Sequence, residues 1–206
     1  MLVTAFKHRR KFITALYIDD EIVLIDTQTF IKSGLKVGSE IDEQNLSQLV
    51  EQSNDRRAFE KGMNLLSYRG HSKAELKRKI TEKAGAKSAE KAVEKLTGLG
   101  LLDDVNFAKE YARELIERKY YSRTRATYQM SEKGIDRQII DTVLDEMDID
   151  PIAQIGEIIN KKFTPMPTLE KEKKRMMSFL MGRGYSYSDI RSAISEFGEF
   201  LETFEE

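Results

Sequence analysis

Leu76, Ala126 and Met176 stand 50 residues apart, and so do Ile80, Met130 and Leu180. Members of the first set precede those of the second by four, a spacing that puts both on one face of a helix. Further along, Lys83, Lys133 and Arg183 keep the same interval, as do Val93, Val143 and Ala193. Gly134-Ile135 and Gly184-Tyr185 repeat a turn followed by an apolar anchor, while the first copy carries its glycine one position later, at Gly85. A chain that repeats one amphipathic unit has few folding options. Each copy exposes an apolar face that a neighbouring copy can cover, so the copies stack in tandem. With 33% charged residues, 12 Gly and 3 Pro in 206, the composition suits helices with long solvated faces.

Each copy resolves into three helices. The expected spans are about 55–69, 72–84 and 88–98 in the first copy, and 105–119, 122–133 and 136–147 in the second. The third covers about 151–163, 169–183 and 186–197. Ser72 followed by Glu75 has the form of a capping box. Asp103-Asp104 ahead of Val105 and Phe107 is a helix-start signal, and Pro151 suits a first helical turn. The segment 164–168, Thr-Pro-Met-Pro-Thr, makes the third copy irregular. The first 50 residues differ. Phe12 to Ile18 and Ile22 to Asp26 read as a hairpin turned by Asp19-Asp20-Glu21. A short helix from Thr27 to Ser33 should stop at Gly34. Val37 to Ile41 reads as a further strand, and Asp42 as the cap of a helix running to about Gln52. The expected fold is therefore mainly α: tandem three-helix repeats (55–104, 105–150 and 151–206) forming an elongated curved body, behind a small β-containing N-terminal module at 1–54.

Several function classes drop out. There is no cysteine, hence no disulfide or thiolate metal site. His8 and His71 are the only histidines, and no metal or other cofactor is expected. The N-terminal stretch lacks the apolar core of a signal peptide, and no run approaches a membrane span. A cytoplasmic, monomeric protein without membrane contact is expected. No nucleophile elbow or phosphate-binding glycine loop is present. Asp103 and Asp104 are paired carboxylates, but two acids just before a helix act as caps far more often than as acid and base, and no enzyme is expected. The net charge of −1 conceals an uneven distribution. Residues 56–133 hold 19 Lys and Arg against 11 Asp and Glu, a net of +8 between flanks of −3 and −6. That centre suits a polyanion or an acidic protein surface.

The segment Gly100-Leu101-Leu102-Asp103-Asp104-Val105-Asn106-Phe107-Ala108 resembles the G-L-L/I-D-D-x-x-F-A block that marks the RecX family. Leu66 to Arg69 and Ser72 to Leu76 are similar to the family's L-x-x-R-x-x-S-x-x-E-L element, and Lys133-Gly134-Ile135 to its K-G-I turn. The resemblance runs from about residue 55 to 197. Two positions depart from it: His71, where a basic residue is frequent, and Tyr121, where glycine is common. The resemblance implies a regulator that binds along the groove of a RecA–DNA filament and inhibits its ATPase, strand-exchange and co-protease activities.

Two basic stretches are the candidate contact surfaces. One contains Arg69, Lys73, Lys77 and Arg78; the other contains Arg113, Arg118, Lys119, Tyr120, Arg123 and Arg125. Arginine and lysine neutralise phosphates, and tyrosine stacks on bases or fills a partner's pocket. The expected partners are the RecA filament and DNA within it. The rival reading is a direct DNA-binding protein whose repeats act as helix-turn-helix units in a major groove. Met176, Met177, Phe179, Leu180 and Met181 read as core, and Phe197, Phe200, Leu201 and Phe204 as a docking or fraying tail.

Overall fold

The structure is a computed structural model describing residues 1–9 and 12–202, the last five of these by backbone alone. It divides into two compact units, Met1–Asp103 and Asp104–Glu206.

The first unit opens with a meander of three antiparallel strands in the order β1 (Val3–Arg9), β2 (Ile13–Ile18) and β3 (Glu21–Asp26). The expected hairpin is β2 and β3, with Asp19 in the left-handed conformation (φ 49°) that Asp tolerates at a tight turn. Strand β1 was not expected, because all its residues but Val3 are exposed and lack the alternation of a half-buried strand. The strand expected over Val37–Ile41 is a loop. A turn closes between Lys36 and Ser39; the segment reaches the chain start through a bridge of Glu40 with Leu2 and backbone bonds from Gly38 N to Val3 O, Val3 N to Ser39 O and Ile41 N to Met1 O, without forming a regular strand. Helix α1 (Thr27–Ser33) is capped by Asp26, whose carboxylate accepts from Thr29 N at 3.0 Å, and ends at a left-handed Gly34.

Helix α2 (Glu43–Tyr68) starts at the Asp42 cap and continues without a break through the polar run 52–57, where the sequence suggested a stop. Three of those polar residues, Ser53, Asp55 and Arg56, meet tertiary partners. Ser53 Oγ, fully buried, accepts from Asp26 N at 2.7 Å, and Arg56 Nε lies 3.0 Å from the buried Asp26 carboxylate. Asp55 accepts from Ser88 Oγ at 2.6 Å and from Lys91 at 2.7 Å. The two helices expected on either side of residue 54 are therefore one, tying the sheet to the first repeat. Helices α3 (Lys73–Ala84) and α4 (Ala86–Gly98) complete that repeat around Ala58, Leu76, Ile80, Ala89, Ala92, Leu96 and Leu102.

The second unit holds the other two repeats. Helix α5 (Asp104–Arg113) passes into a π-helical turn, Glu114–Arg118, followed by α6 (Arg123–Glu132) and α7 (Arg137–Asp145). The wider turn lets consecutive residues Leu115 and Ile116 both enter the core while Arg113, Glu117 and Arg118 stay outside. Helices α8 (Pro151–Lys162), α9 (Glu170–Gly182) and α10 (Tyr187–Glu202) form the third repeat. The 50-residue register holds in space: Leu76, Ile80, Ala126, Met130, Met176 and Leu180 are all buried. Phe197 packs on Gly156 of α8, where a Cβ would meet its ring at 2.6 Å. Of the other tail residues, Phe200, Leu201 and Phe204 lie outside the described side chains.

Candidate partner-binding surfaces

In the first unit the expected cations are largely engaged. The Ser72 Oγ cap accepts from Glu75 N at 3.0 Å, as the capping box requires. The Glu75 carboxylate is 3% exposed and receives Arg69 through Nη2 at 2.8 Å and Nη1 at 3.2 Å. His71 Nδ1 adds a third contact at 3.0 Å, so the neutral ring carries its proton there. Burial holds the His71 pKa below the usual imidazole value despite this bond. Arg69 thus closes a partly buried triad instead of standing ready for a ligand. Lys77 pairs with Glu90 at 2.7 Å, and both line a shallow groove between α3 and α4 with Lys73 and Val93. Arg78 is exposed and makes no ion pair among the described residues.

In the second unit, Arg113 and Arg118 are likewise exposed and unpaired among the described residues. Lys119 pairs with Glu114 at 2.7 Å, which raises its pKa. Tyr120 takes a left-handed conformation (φ 51°) between the π turn and α6. Its hydroxyl donates to Glu157 at 2.9 Å and contacts Lys161, and its carbonyl accepts from Tyr185 Oη at 3.1 Å. Burial pushes the Tyr185 phenol well above its ordinary range. Arg123 caps the end of α7, donating to Leu144 O at 3.0 Å and to Asp145 at 2.5 Å. Tyr120 and Arg123 therefore bind the repeats internally.

Arg125 is placed differently. Its guanidinium lies over two rings, 5.9 Å from the Tyr121 centroid and 5.4 Å from that of Tyr128. Arg183 approaches Tyr121 at the same distance and sits 4.0 Å from the Phe179 centroid, which Lys162 also approaches at 4.8 Å. The seam between the second and third repeats thus carries cations and rings in alternation. The Nε of Arg125 and that of Arg183 are buried without a hydrogen-bond partner. The two repeats meet here directly. Ser122 N donates to Arg183 O at 3.0 Å, and Ser122 Oγ donates to Gly184 O at 2.7 Å.

Against known families, the models of the second and third three-helix domains of RecX match residues 103–144 and 148–194. The regulatory protein RecX of Pelodictyon phaeoclathratiforme is 35% identical over 135 residues, covering 64% of this chain and 83% of its own. The chain belongs to the RecX family. The regulatory protein RecX of Clostridium tetani aligns over more of the chain, 27% identical across 91% of it and 89% of its own length. Among solved structures, one described as regulatory protein RecX superposes with a TM-score of 0.60 at 19% identity, covering 96% of this chain and 98% of its own. RecX from Lactobacillus salivarius gives 0.57 at 21% identity, covering 70% and 97%. At those identities the structural likeness speaks for the fold alone.

Asp103 precedes α5 and Asp104 opens it, the cap positions expected for paired acids at a helix start. Leu102 is buried in the first-repeat core, Leu101 is half exposed, and Phe107 stacks on Tyr111 with 5.7 Å between centroids. The two departures from the RecX pattern have local reasons. His71 is buried against Glu75, and Tyr121 provides the ring shared by Arg125 and Arg183. Lys162, Phe179 and Arg183 were not among the expected contacts. The sequence signal for Arg183 was its register with Lys83 and Lys133; Phe179 was read as core, and Lys162 had no signal. Among the described residues no helix is long and apolar enough to cross a membrane.

Proposed function

We propose that the protein binds RecA and RecA–DNA filaments and restrains recombinase ATPase, strand-exchange and co-protease activity, thereby tuning DNA repair and the SOS response. Membership of a family whose relatives are named regulatory protein RecX carries this reading. The N-terminal module (1–54) and the repeats 55–104, 105–150 and 151–206 act in the cytoplasm as a single chain. They work by occupancy, without a catalytic group or a cofactor. Arg78, Arg113 and Arg118 support the reading locally, because exposed cations with no ion pair among the described residues suit an acidic or phosphate-bearing surface. Arg69, Lys73, Lys77, Lys119, Tyr120, Arg123 and Arg125 belong to the same two proposed contact stretches, several of them also bonded within the repeats.

The test is RecA ATPase on single-stranded DNA titrated with the full chain and with Arg113→Gln/Arg118→Gln. Inhibition by the wild type at near-equal ratios, weakened about tenfold or more in the variant, is expected from the loss of two rim charges. Inhibition unchanged in the variant removes the arginines from the contact surface. Absence of inhibition by the wild type removes the recombinase reading.

A further inference from the structure

The sheet of the first unit ends in an open edge. Strand β1 lies outermost in the order β1, β2, β3, and its residues Thr4 to Arg9 are all exposed. On the side away from β2, Val3 is bonded to Gly38 N and Ser39 O. Beyond Val3, the backbone of β1 has no partner on that side among the described residues. Alternate residues of an outer antiparallel strand point their N–H and C=O groups outward, so this edge can receive a further strand.

The two faces of β1 differ. Phe6 and His8 stand opposite Leu16 and Thr14, on the side of the sheet that carries the core. Ala5, Lys7 and Arg9 stand opposite Tyr17, Ala15 and Ile13, on the outer side. Phe6 packs on Phe30 of α1 with 4.9 Å between centroids, yet remains 41% exposed at the rim of that core. Lys7 and Arg9 make no ion pair among the described residues, and β1 contains no acid. Of the six Lys and Arg in residues 1–55, four fall between positions 7 and 11, whereas the nine Asp and Glu of that stretch all lie elsewhere.

We infer that β1 receives an extended segment of a partner protein as a fourth strand, one in which acidic residues alternate with apolar ones. Successive side chains of a strand point to opposite faces, so every second residue of the incoming segment falls beside Phe6 and the others beside Lys7 and Arg9. An apolar residue of the first kind covers the exposed part of the Phe6 ring and extends the core. A carboxylate of the second kind pairs with a cation across the strands. Charge on an edge strand ordinarily deters pairing; a strand with cations alone deters all but acidic segments. A second copy of this chain is a poor occupant, because two β1 strands would bring Lys7 and Arg9 of both together. The site uses none of the cations at 69–78 and 113–125 and does not rest on the recombinase reading.

The experiment is fluorescence anisotropy of a labelled peptide of alternating glutamate and valine, titrated with the full chain. Saturable binding that weakens as salt rises is expected. Lys7→Glu/Arg9→Glu turns the cross-strand pairs from favourable to unfavourable and should weaken binding about tenfold or more. The same variant should gain affinity for a peptide of alternating lysine and valine. Both positions are exposed, and far-ultraviolet circular dichroism checks that the fold is kept. Lys32→Gln/Lys36→Gln removes two charges from exposed positions of the same unit and should leave the affinity as it is. A glutamate–valine peptide N-methylated throughout keeps its charge but loses its backbone donors, and it should fail to bind. A wild-type chain that ignores the parent peptide, or a double variant that holds it equally well, overturns the site. Equal affinity for the N-methylated peptide overturns strand addition. So does a dimer in analytical ultracentrifugation that the double substitution abolishes, which would make a second copy the occupant. Binding of oligo(dT) by Lys7 and Arg9 in place of the peptide would also overturn the assignment to a protein segment.

Discussion

Replacing Gly184 with alanine probes the joint on which the second unit depends. Gly184 has φ +89°, a region that glycine enters freely and alanine at a cost of about 1–2 kcal/mol. An added Cβ would lie 2.6 Å from Ser122 Oγ, 2.7 Å from Arg125 Cβ and 3.3 Å from Arg125 N. None of these can retreat easily. Ser122 Oγ is held between Gly184 O and Arg125 N, at 2.7 and 3.2 Å, and the other two atoms belong to the first turn of α6. Overpacking of this kind costs about 1–3 kcal/mol, and loss of the Ser122–Gly184 bond adds about 1 kcal/mol. The expected total is roughly 3–6 kcal/mol, a fall in Tm on the order of 10 °C for a chain of this size. The unfolding of the second unit can be followed through tyrosine, since six of the eight tyrosines lie beyond residue 103 and there is no tryptophan. Gly182→Ala is the control two residues away. Its Cβ would meet nothing within 4 Å, and inside a helix the change should be neutral or stabilise by up to about 1 kcal/mol. A Gly184→Ala protein that melts with the wild type would refute the account of the seam as a close-packed joint.

Further outcomes follow from the buried polar groups. Glu75→Gln removes the charge shared by Arg69 and His71, and urea unfolding of the first unit should show a loss of about 2–3 kcal/mol, reduced from the value for a fully buried pair because Arg69 is half exposed. A loss below about 0.5 kcal/mol would mean that the triad is incidental. His71 has a folded pKa held below its unfolded value of 6.5, so the unfolded chain binds the extra proton. Its contribution is complete above pH 6.5 and declines as pH falls through the folded pKa; His71→Gln should flatten the stability profile in that window, and an unchanged profile would assign the acid sensitivity elsewhere. Tyr185→Phe removes a hydroxyl placed 3.1 Å from Tyr120 O and 3.0 Å from Gln154 Oε1. It should cost about 1–2 kcal/mol by removing the one hydroxyl proton these part-buried acceptors compete for, and a variant as stable as wild type would show that water replaces the bond.

The parts of the fold legible in the sequence are those written as periodicity. The residues four apart at 76/80, 126/130 and 176/180 predicted three core-facing helices, because a buried helix face admits little but apolar residues at that interval. Caps were legible for a related reason: Ser72 and Asp42 act on backbone amides three residues away, so all the information is local. The failures share the opposite property. The polar run 52–57 looks like a helix stop until Asp26, Ser88 and Lys91 are brought to it from 26 or more residues away. Strand β1 carries no alternation because it lies at the sheet edge with most of its side chains in water.

The same division explains the candidate contacts. Charge could be counted in the sequence, but whether a cation is free depends on which acid the fold delivers to it. Arg69, Lys77, Lys119 and Arg123 each meet a carboxylate, whereas Arg78, Arg113 and Arg118 meet none among the described residues. Arg183 is the instructive case. Its register with Lys83 and Lys133 marked it as a repeated turn residue, but only the docking of its own backbone carbonyl onto Ser122 sets its side chain over Tyr121 and Phe179. A tyrosine at 121, where the family commonly has glycine, is what allows two arginines from different repeats to share one ring. The departure from the family pattern and the unpaired cations are therefore one structural fact, and substitution of Tyr121 should affect both arginines together.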